Sequence, residues 1–166
     1  MKRFALIKLL LVAVLIIAAM PQQAQAQFQY IVKFVCGKSD GTILAPGEYR
    51  TAINVINPTN GKAYLYKHFS IALPLEKIGP VTPDSIIMTL GRHESMEIDC
   101  KDIRIVTAKI VEEAKIPTKL LKGFVLIWSN VELEVVAVYT ATITSGTSRT
   151  STLDIDVERV PPRRLR

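Results

Sequence analysis

The 166-residue sequence contains few of the residues on which enzyme active sites depend. His68 and His93 are its only histidines, and no Gly-x-Ser-x-Gly motif occurs. A hydrolase triad needs a nucleophile, a base and an orienting acid in close geometry. A histidine without a spaced partner is weak evidence for such a site. We therefore predict a non-enzymatic protein with no catalytic residues and no cofactor.

The sequence also lacks an apolar run long enough to span a membrane. Its longest uninterrupted run near the N-terminus, Leu9–Met20, is about a dozen residues, whereas a spanning helix needs roughly 20. Lys2, Arg3 and Lys8 precede this run, and Ala24-Gln25-Ala26 follows it. This pattern predicts a secretory signal peptide over residues 1–26, the alternative being an uncleaved anchor. We expect an exported protein, periplasmic or secreted, with no membrane association after cleavage.

A strong charge imbalance is absent as well. The formal net charge is +6, but half of it belongs to the predicted signal peptide. Arg163, Arg164 and Arg166 add three more positive charges within the last four residues. The body of the chain is close to neutral, so the sequence predicts no nucleic-acid partner.

Only two cysteines are present, Cys36 and Cys100, and they do not form a Cys-x-x-Cys pair. An even number of cysteines in an exported chain favours a disulfide. Two buried free thiols or a metal pair are the alternatives, although this spacing is a poor metal signature. No cysteine stands at the predicted cleavage site after the N-terminal apolar run, which argues against a lipoprotein.

The remaining chain is rich in alternating apolar and polar residues, a pattern typical of β-strands. Seven or eight strands are predicted in these ranges: 28–36, 48–57, 62–73, 85–90, 94–100, 123–128, 132–143 and 152–160. Asp99 or Asp102 can cap one short helix near residues 102–115, which Pro117 ends. No long helices separate the strands, which argues against a parallel α/β sheet.

These elements predict an all-β, two-layer antiparallel β-sandwich forming a single domain over residues 27–160. We expect two hairpins, one turning at Asn57–Gly61. The other is a central hairpin at Gly123–Thr144, whose first strand is buried on both faces. Two prolines interrupt pairing after residue 160, so residues 161–166 are expected to form a disordered basic tail.

Tyr64, Tyr66 and His68 share one face of the third predicted strand. If the opposite face belongs to the core, this row forms a ligand surface, because exposed aromatic side chains provide a stacking platform. The alternatives are a second core face or an oligomer contact. The expected partner is an unknown protein or a glycan, and a homo-oligomer stays open.

Two acidic groups are weak candidates for a cation site. Glu97 and Asp99 share a strand face, where carboxylates could hold a hard cation such as calcium. Asp154, Asp156 and Glu158 form a second row, expected to point outward beside Glu132 and Glu134, with Leu153, Ile155 and Val157 inward. The spacing of an EF-hand loop is absent, so both groups could equally be solvated faces.

Four stretches resemble an uncharacterised family of small exported bacterial proteins: FVCG at 34–37, PGEYRTAINVINPT at 46–59, ESMEIDCKDI at 94–103 and KGFVLIWSNVELEVVAVYTA at 122–141. This resemblance implies no established activity. The order of elements, including E-x-x-x-I-D and G-F-V-x-I-x-S, is also similar to that of sensory rhodopsin transducer proteins, which implies a β-sandwich that oligomerises. The signal peptide and the two cysteines depart from that pattern, so a cytoplasmic signalling role does not carry over.

Overall fold

The computed structural model describes residues 26–144 and 150–165. The predicted signal peptide and the predicted turn at Ser145-Gly146 lie outside these residues, apart from Ala26. The described chain forms nine strands and one helix: β1 (Phe28–Ser39), β2 (Gly47–Ile56), β3 (Ala63–Ile71), β4 (Ile86–Leu90), β5 (Ser95–Asp99), α1 (Cys100–Glu113), β6 (Leu120–Ser129), β7 (Glu134–Thr144), β8 (Thr150–Arg159) and β9 (Arg163–Arg164). No helix among them is both long and apolar enough to cross a membrane.

The strands form two antiparallel layers that are joined at one corner. Sheet 1 has the order β4-β3-β6-β1, and sheet 2 has the order β5-β2-β7-β8. At the corner, residues 37–39 of β1 pair with residues 47–49 of β2. Beyond it, β2 pairs with β5 instead, and the two sheets separate. This architecture confirms the predicted all-β sandwich.

The core lies between the sheets and consists of the inward side chains of alternating strand residues. Burial alternates along β1 and β3, as the sequence pattern predicts. α1 closes the core by burying one side, and the residues it contributes are Ile103, Thr107, Ile110 and Val111. Ordinary hydrophobic burial therefore stabilises the sandwich, at about 25 cal/mol per Å² of apolar surface removed from water.

Asp99 ends β5 and caps α1. Its carboxylate accepts hydrogen bonds from the backbone N–H groups of Lys101 (2.8 Å) and Asp102 (2.9 Å), and the Asp102 carboxylate accepts one from the Asp99 N–H (3.2 Å). This reciprocal capping box starts the helix at Cys100, two residues before the predicted start.

A disulfide joins Cys36 on β1 to Cys100 at the first position of α1, with Cα atoms 5.5 Å apart. This confirms the predicted pairing. Cys36 is fully buried, and the bond fixes the start of the helix against sheet 1.

The predicted hairpin at Asn57–Gly61 is wrong. β2 lies in sheet 2 and β3 lies in sheet 1, so this turn carries the chain from one layer to the other. The buried Asn57 amide donates hydrogen bonds to the carbonyls of Gly61 (2.7 Å) and Gly91 (2.9 Å), and its Oδ1 accepts one from the Thr59 N–H (3.0 Å). Asn57 therefore supports a crossing loop rather than a tight turn.

The predicted central hairpin at Gly123–Thr144 is also wrong. β6 lies between β3 and β1, whereas β7 lies between β2 and β8 in the other sheet. The link between them crosses the layers and is held by the buried Tyr30. The Tyr30 O–H donates to the Leu133 carbonyl (2.9 Å), and the Leu133 N–H donates to the Tyr30 hydroxyl (2.6 Å). Burial is the main cause that raises the pKa of Tyr30.

β6 is not buried on both faces, contrary to the prediction. Val125 and Ile127 point into the core, whereas Phe124, Leu126 and Trp128 point outward from sheet 1. Phe124 is 40% exposed. A continuous apolar run in this strand therefore creates an apolar outer surface.

The orientation of β8 is the reverse of the prediction. Asp156 lies opposite Tyr139, and Glu158 lies opposite Ala137, so these acids share the inward face of sheet 2. Ile155 and Val157 point outward. The acidic row also lies away from Glu132 and Glu134, the neighbours predicted for it. The side chains of Leu153 and Asp154 lie outside the description.

The expectation of a disordered tail is wrong for β9. Arg163 and Arg164 pair with Gln29 and Phe28 of β1, and the Arg164 guanidinium lies 5.7 Å from the centre of the Phe28 ring. Pro161 and Pro162 have no N–H and do interrupt pairing. The chain uses them to leave sheet 2 and pair again on sheet 1.

Candidate functional site

The outward side chains of sheet 1 form a continuous apolar and aromatic surface. Strand register places Tyr66 between Ile87 of β4 and Trp128 of β6, and it places Leu126 between His68 and Ile31 of β1. We call this surface the aromatic face and define it by eight residues: Ile31, Tyr64, Tyr66, His68, Ile87, Phe124, Leu126 and Trp128.

A shallow hollow of about 420 Å³ lies within the aromatic face. Its apolar walls include Ile31, Phe124, Leu126 and Trp128, and Val81 from the loop before β4 closes one side. Several of the surrounding side chains are unusually open for apolar groups: Ile87 is 67% exposed and Val81 is 51% exposed. Contiguous exposed apolar surface of this kind marks interaction sites in soluble proteins.

His68 is held rigidly at the edge of this hollow. Its Nδ1 lies 3.0 Å from the Thr82 carbonyl, and its Nε2 lies 2.6 Å from the Ser85 hydroxyl. Its ring meets that of Trp128 edge-on, with centroids 5.5 Å apart. Both ring nitrogens are occupied within the protein, so His68 supplies shape and ring contact rather than a free proton acceptor.

The sequence identified part of the aromatic face and missed the rest. Tyr64, Tyr66 and His68 do lie together on the outer side of β3, as their alternation predicts. The continuous apolar run predicts a doubly buried strand for Phe124 and Trp128, although their alternation with Val125 and Ile127 is the signal that distinguishes outward from inward positions. No sequence pattern indicates that Val81 belongs to this surface, because only the tertiary structure brings its loop against β3.

The candidate cation ligands Glu97 and Asp99 lie on the outer side of sheet 2, opposite Asn54 and Ala52. Asp99 already caps α1 through its carboxylate. The groove that both line also contains Arg50, Lys101 and Arg104, cations that oppose a bound metal ion. The described residues contain no group of three or more His, Cys, Asp or Glu side chains arranged to hold a metal.

A second concave region of about 400 Å³ lies where β1 separates from sheet 2. The Tyr139 hydroxyl lies there, 3.0 Å from Glu158 Oε2 and 3.2 Å from the Lys33 carbonyl. Burial, followed by the hydrogen bond to Glu158, raises the pKa of Tyr139. The neutral Tyr139 side chain links β1 to sheet 2 across this cleft. The described side chains that line the cleft do not pair a nucleophile with a base.

No family model matches this chain, and no curated protein matches it. Among solved structures, the crystal structure of Thermotoga maritima 1070 is similar, with a TM-score of 0.44 and 9% sequence identity. The alignment covers 82% of this chain and 95% of that one. A likeness of this degree carries no argument about function.

Proposed function

We propose that this protein is an exported, non-enzymatic binding protein that takes an apolar segment of a protein partner on its aromatic face. The observation that carries the proposal is the exposure of apolar side chains on the outer side of β6 and β4. Ile87, at 67% exposed, and Phe124, at 40%, lie on this one surface. Leaving them in water costs free energy that a partner would recover by covering them.

A protein segment fits the aromatic face better than a glycan does. Sugar recognition requires hydrogen-bonding groups around the stacking ring, as well as the ring itself. Ser70 and His68 are the polar residues that line the hollow, and both nitrogens of His68 are occupied. An apolar anchor side chain surrounded by a more polar rim is the usual centre of a protein interface. Lys33, next to Phe124 in the strand register, provides such a rim.

Export is part of the proposal and is supported by two observations. The Cys36–Cys100 disulfide is of the kind that persists in oxidising compartments. The first 26 residues have the composition of a signal peptide.

Site-specific photocrosslinking in the exporting cells tests the proposal. A benzophenone amino acid at position 124 should give a covalent adduct of defined mass, and the same group at position 105, on the outer side of α1, should not. An adduct with the mass of two chains would identify the partner as a second copy. If position 124 gives no adduct and the purified protein stays monomeric at all concentrations in light scattering, the proposal is wrong.

Matched substitutions then measure the contribution of the aromatic face. Ile87 and Ile105 are 67% and 65% exposed, so Ile87→Ser and Ile105→Ser make the same chemical change at equal exposure on different surfaces. Ile87→Ser should weaken binding of the captured partner about tenfold, as expected for an interface anchor. Ile105→Ser should leave it unchanged. Equal effects of the two variants would contradict the assignment.

A further inference from the structure

β8 is the last strand of sheet 2, and no strand pairs with its outer edge in the described part of the chain. The Val160 N–H donates to the Val135 carbonyl (2.9 Å), which sets the phase of the ladder between β7 and the end of β8. Because hydrogen-bonded positions alternate in antiparallel pairs, Ile155, Val157 and Arg159 direct their backbone N–H and C=O groups away from β7. These groups form a template for another strand.

The two faces of this edge differ in chemistry. On the outer side of sheet 2, Ile155 and Val157 are each 61% exposed, and Val157 lies beside the half-buried Val138 of β7. On the inward side, Asp156 and Glu158 are exposed. An added strand would therefore meet an apolar stripe on one face and an acidic row on the other.

This pattern disfavours pairing of β8 with a second copy of itself. Two antiparallel β8 strands related by a twofold axis perpendicular to the sheet would place residues of the same face opposite each other. Asp156 and Glu158 would then face the acids of the other copy, and like charges opposite each other are destabilising. Inward charges on an edge strand are a known protection against such self-pairing.

We propose that the edge of β8 binds an extended segment of a protein partner by β-strand addition, and that the segment alternates basic residues with β-branched or aromatic ones. Main-chain hydrogen bonds to Val157 and Arg159 provide the attachment. Lys or Arg side chains lie opposite Asp156 and Glu158, and apolar side chains cover Ile155 and Val157. This surface is on the sheet opposite the aromatic face, so the two proposals are independent.

Fluorescence anisotropy with three labelled peptides of equal length tests this proposal on the purified mature chain. The first alternates Val with Lys or Arg, the second alternates Val with Glu or Asp, and the third has the composition of the first in separate basic and apolar blocks. The first should bind, with an affinity that falls as salt is raised. The other two should bind at least about tenfold more weakly. Equal binding of the block peptide would overturn strand addition in favour of unspecific attraction.

Two variants locate the binding edge. Asp156→Lys combined with Glu158→Lys should reverse the preference between the basic and acidic peptides, since like-charge contacts then oppose the former. Val157→Pro removes an N–H that faces away from β7, a position where an edge strand tolerates proline. It should abolish binding while the far-ultraviolet circular dichroism stays unchanged.

Amide hydrogen exchange provides a readout that does not depend on these variants. The N–H groups of Val157 and Arg159 should become protected when the basic alternating peptide is added, and the variant Ile87→Ser on the aromatic face should show the same protection. Binding without protection at these two amides would overturn the proposal.

Discussion

At the scale of single residues, the Cys36–Cys100 disulfide contributes to the stability of the folded chain. Cys36 and Cys100 are separated by 64 positions in sequence, and closing a loop of that length restricts the unfolded chain. We expect the double variant Cys36→Ala with Cys100→Ala to lower the free energy of unfolding by about 4 kcal/mol. Urea denaturation monitored by Trp128 fluorescence measures this loss. The reduced wild-type chain is the control, and it should lose a similar amount.

Lys67 is the one charged side chain among the inward residues of β3, and it is only 7% exposed. Burial lowers its pKa from the usual 10.5, although the negative charge of Asp102 acts in the opposite direction. The charged form is therefore disfavoured in the folded state, and this penalty is complete at pH values below the lowered pKa.

Replacing Lys67 with Met should therefore stabilise the protein at neutral pH by about 1 kcal/mol. The gain should shrink as the pH rises from the lowered pKa of folded Lys67 towards 10.5, because the folded wild type then already carries a neutral lysine. Above 10.5 the unfolded lysine is neutral as well, and the electrostatic gain disappears. Denaturation midpoints of the two proteins at pH 7 and pH 10 measure this difference. A gain that does not change with pH would show that packing, rather than the charge, accounts for it.

At the scale of elements, the crossing loops determine the topology. Asn57 joins the loop after β2 to the loop before β5, since its N–H also donates to the Glu94 carbonyl (3.0 Å) and its carbonyl accepts from the His93 N–H (3.0 Å). Removing its side chain leaves buried backbone groups without partners, which is costly.

We expect Asn57→Ala to lower the free energy of unfolding by roughly 3 kcal/mol. Asn54→Ala is the matched control, because Asn54 is exposed on β2, three positions earlier, and should change stability by less than about 0.5 kcal/mol. Chemical denaturation of both variants tests this. A small effect at Asn57 would mean that water replaces its hydrogen bonds.

At the scale of the whole molecule, both proposed binding surfaces lie where a sheet has no covering layer or no neighbouring strand in the described chain. If the acidic row of Asp156 and Glu158 on β8 opposes self-pairing, as we infer, neutralising it should promote self-association. Asp156→Asn combined with Glu158→Gln removes the like-charge contacts and keeps the shape and the free backbone groups. We expect this variant to dimerise or aggregate at concentrations where the wild type does not, as light scattering would show. Unchanged behaviour would indicate that the edge is protected by something other than charge.

The fold class and the buried positions of β1 and β3 could be predicted from the sequence because they depend on local alternation. Apolar and polar residues alternate along both strands in step with their burial, and the buried Lys67 is the exception. The cap at Asp99 was also predictable, because a carboxylate at that position satisfies backbone groups only a few residues away.

Pairing of strands could not be predicted in the same way. The turns at Asn57–Gly61 and at Ser129–Asn130 have the composition of hairpin turns, yet both cross between layers. The local sequence of a strand does not specify which other strand pairs with it, because the hydrogen bonds between strands join backbone groups that nearly all residues share. The partner is chosen by how the complete set of apolar faces packs.

The sequence by itself therefore determined the fold class, the positions of most strands, the helix cap and the disulfide, all of which follow from side-chain chemistry at short range or from the count of cysteines. Only the tertiary structure decided which apolar side chains stay in water. Phe124 and Trp128 resemble core residues in sequence, but their side of sheet 1 has no covering layer in the described chain. Asp156 and Glu158 face inward without being buried. Both candidate surfaces arise from this difference between the direction of a side chain and its coverage.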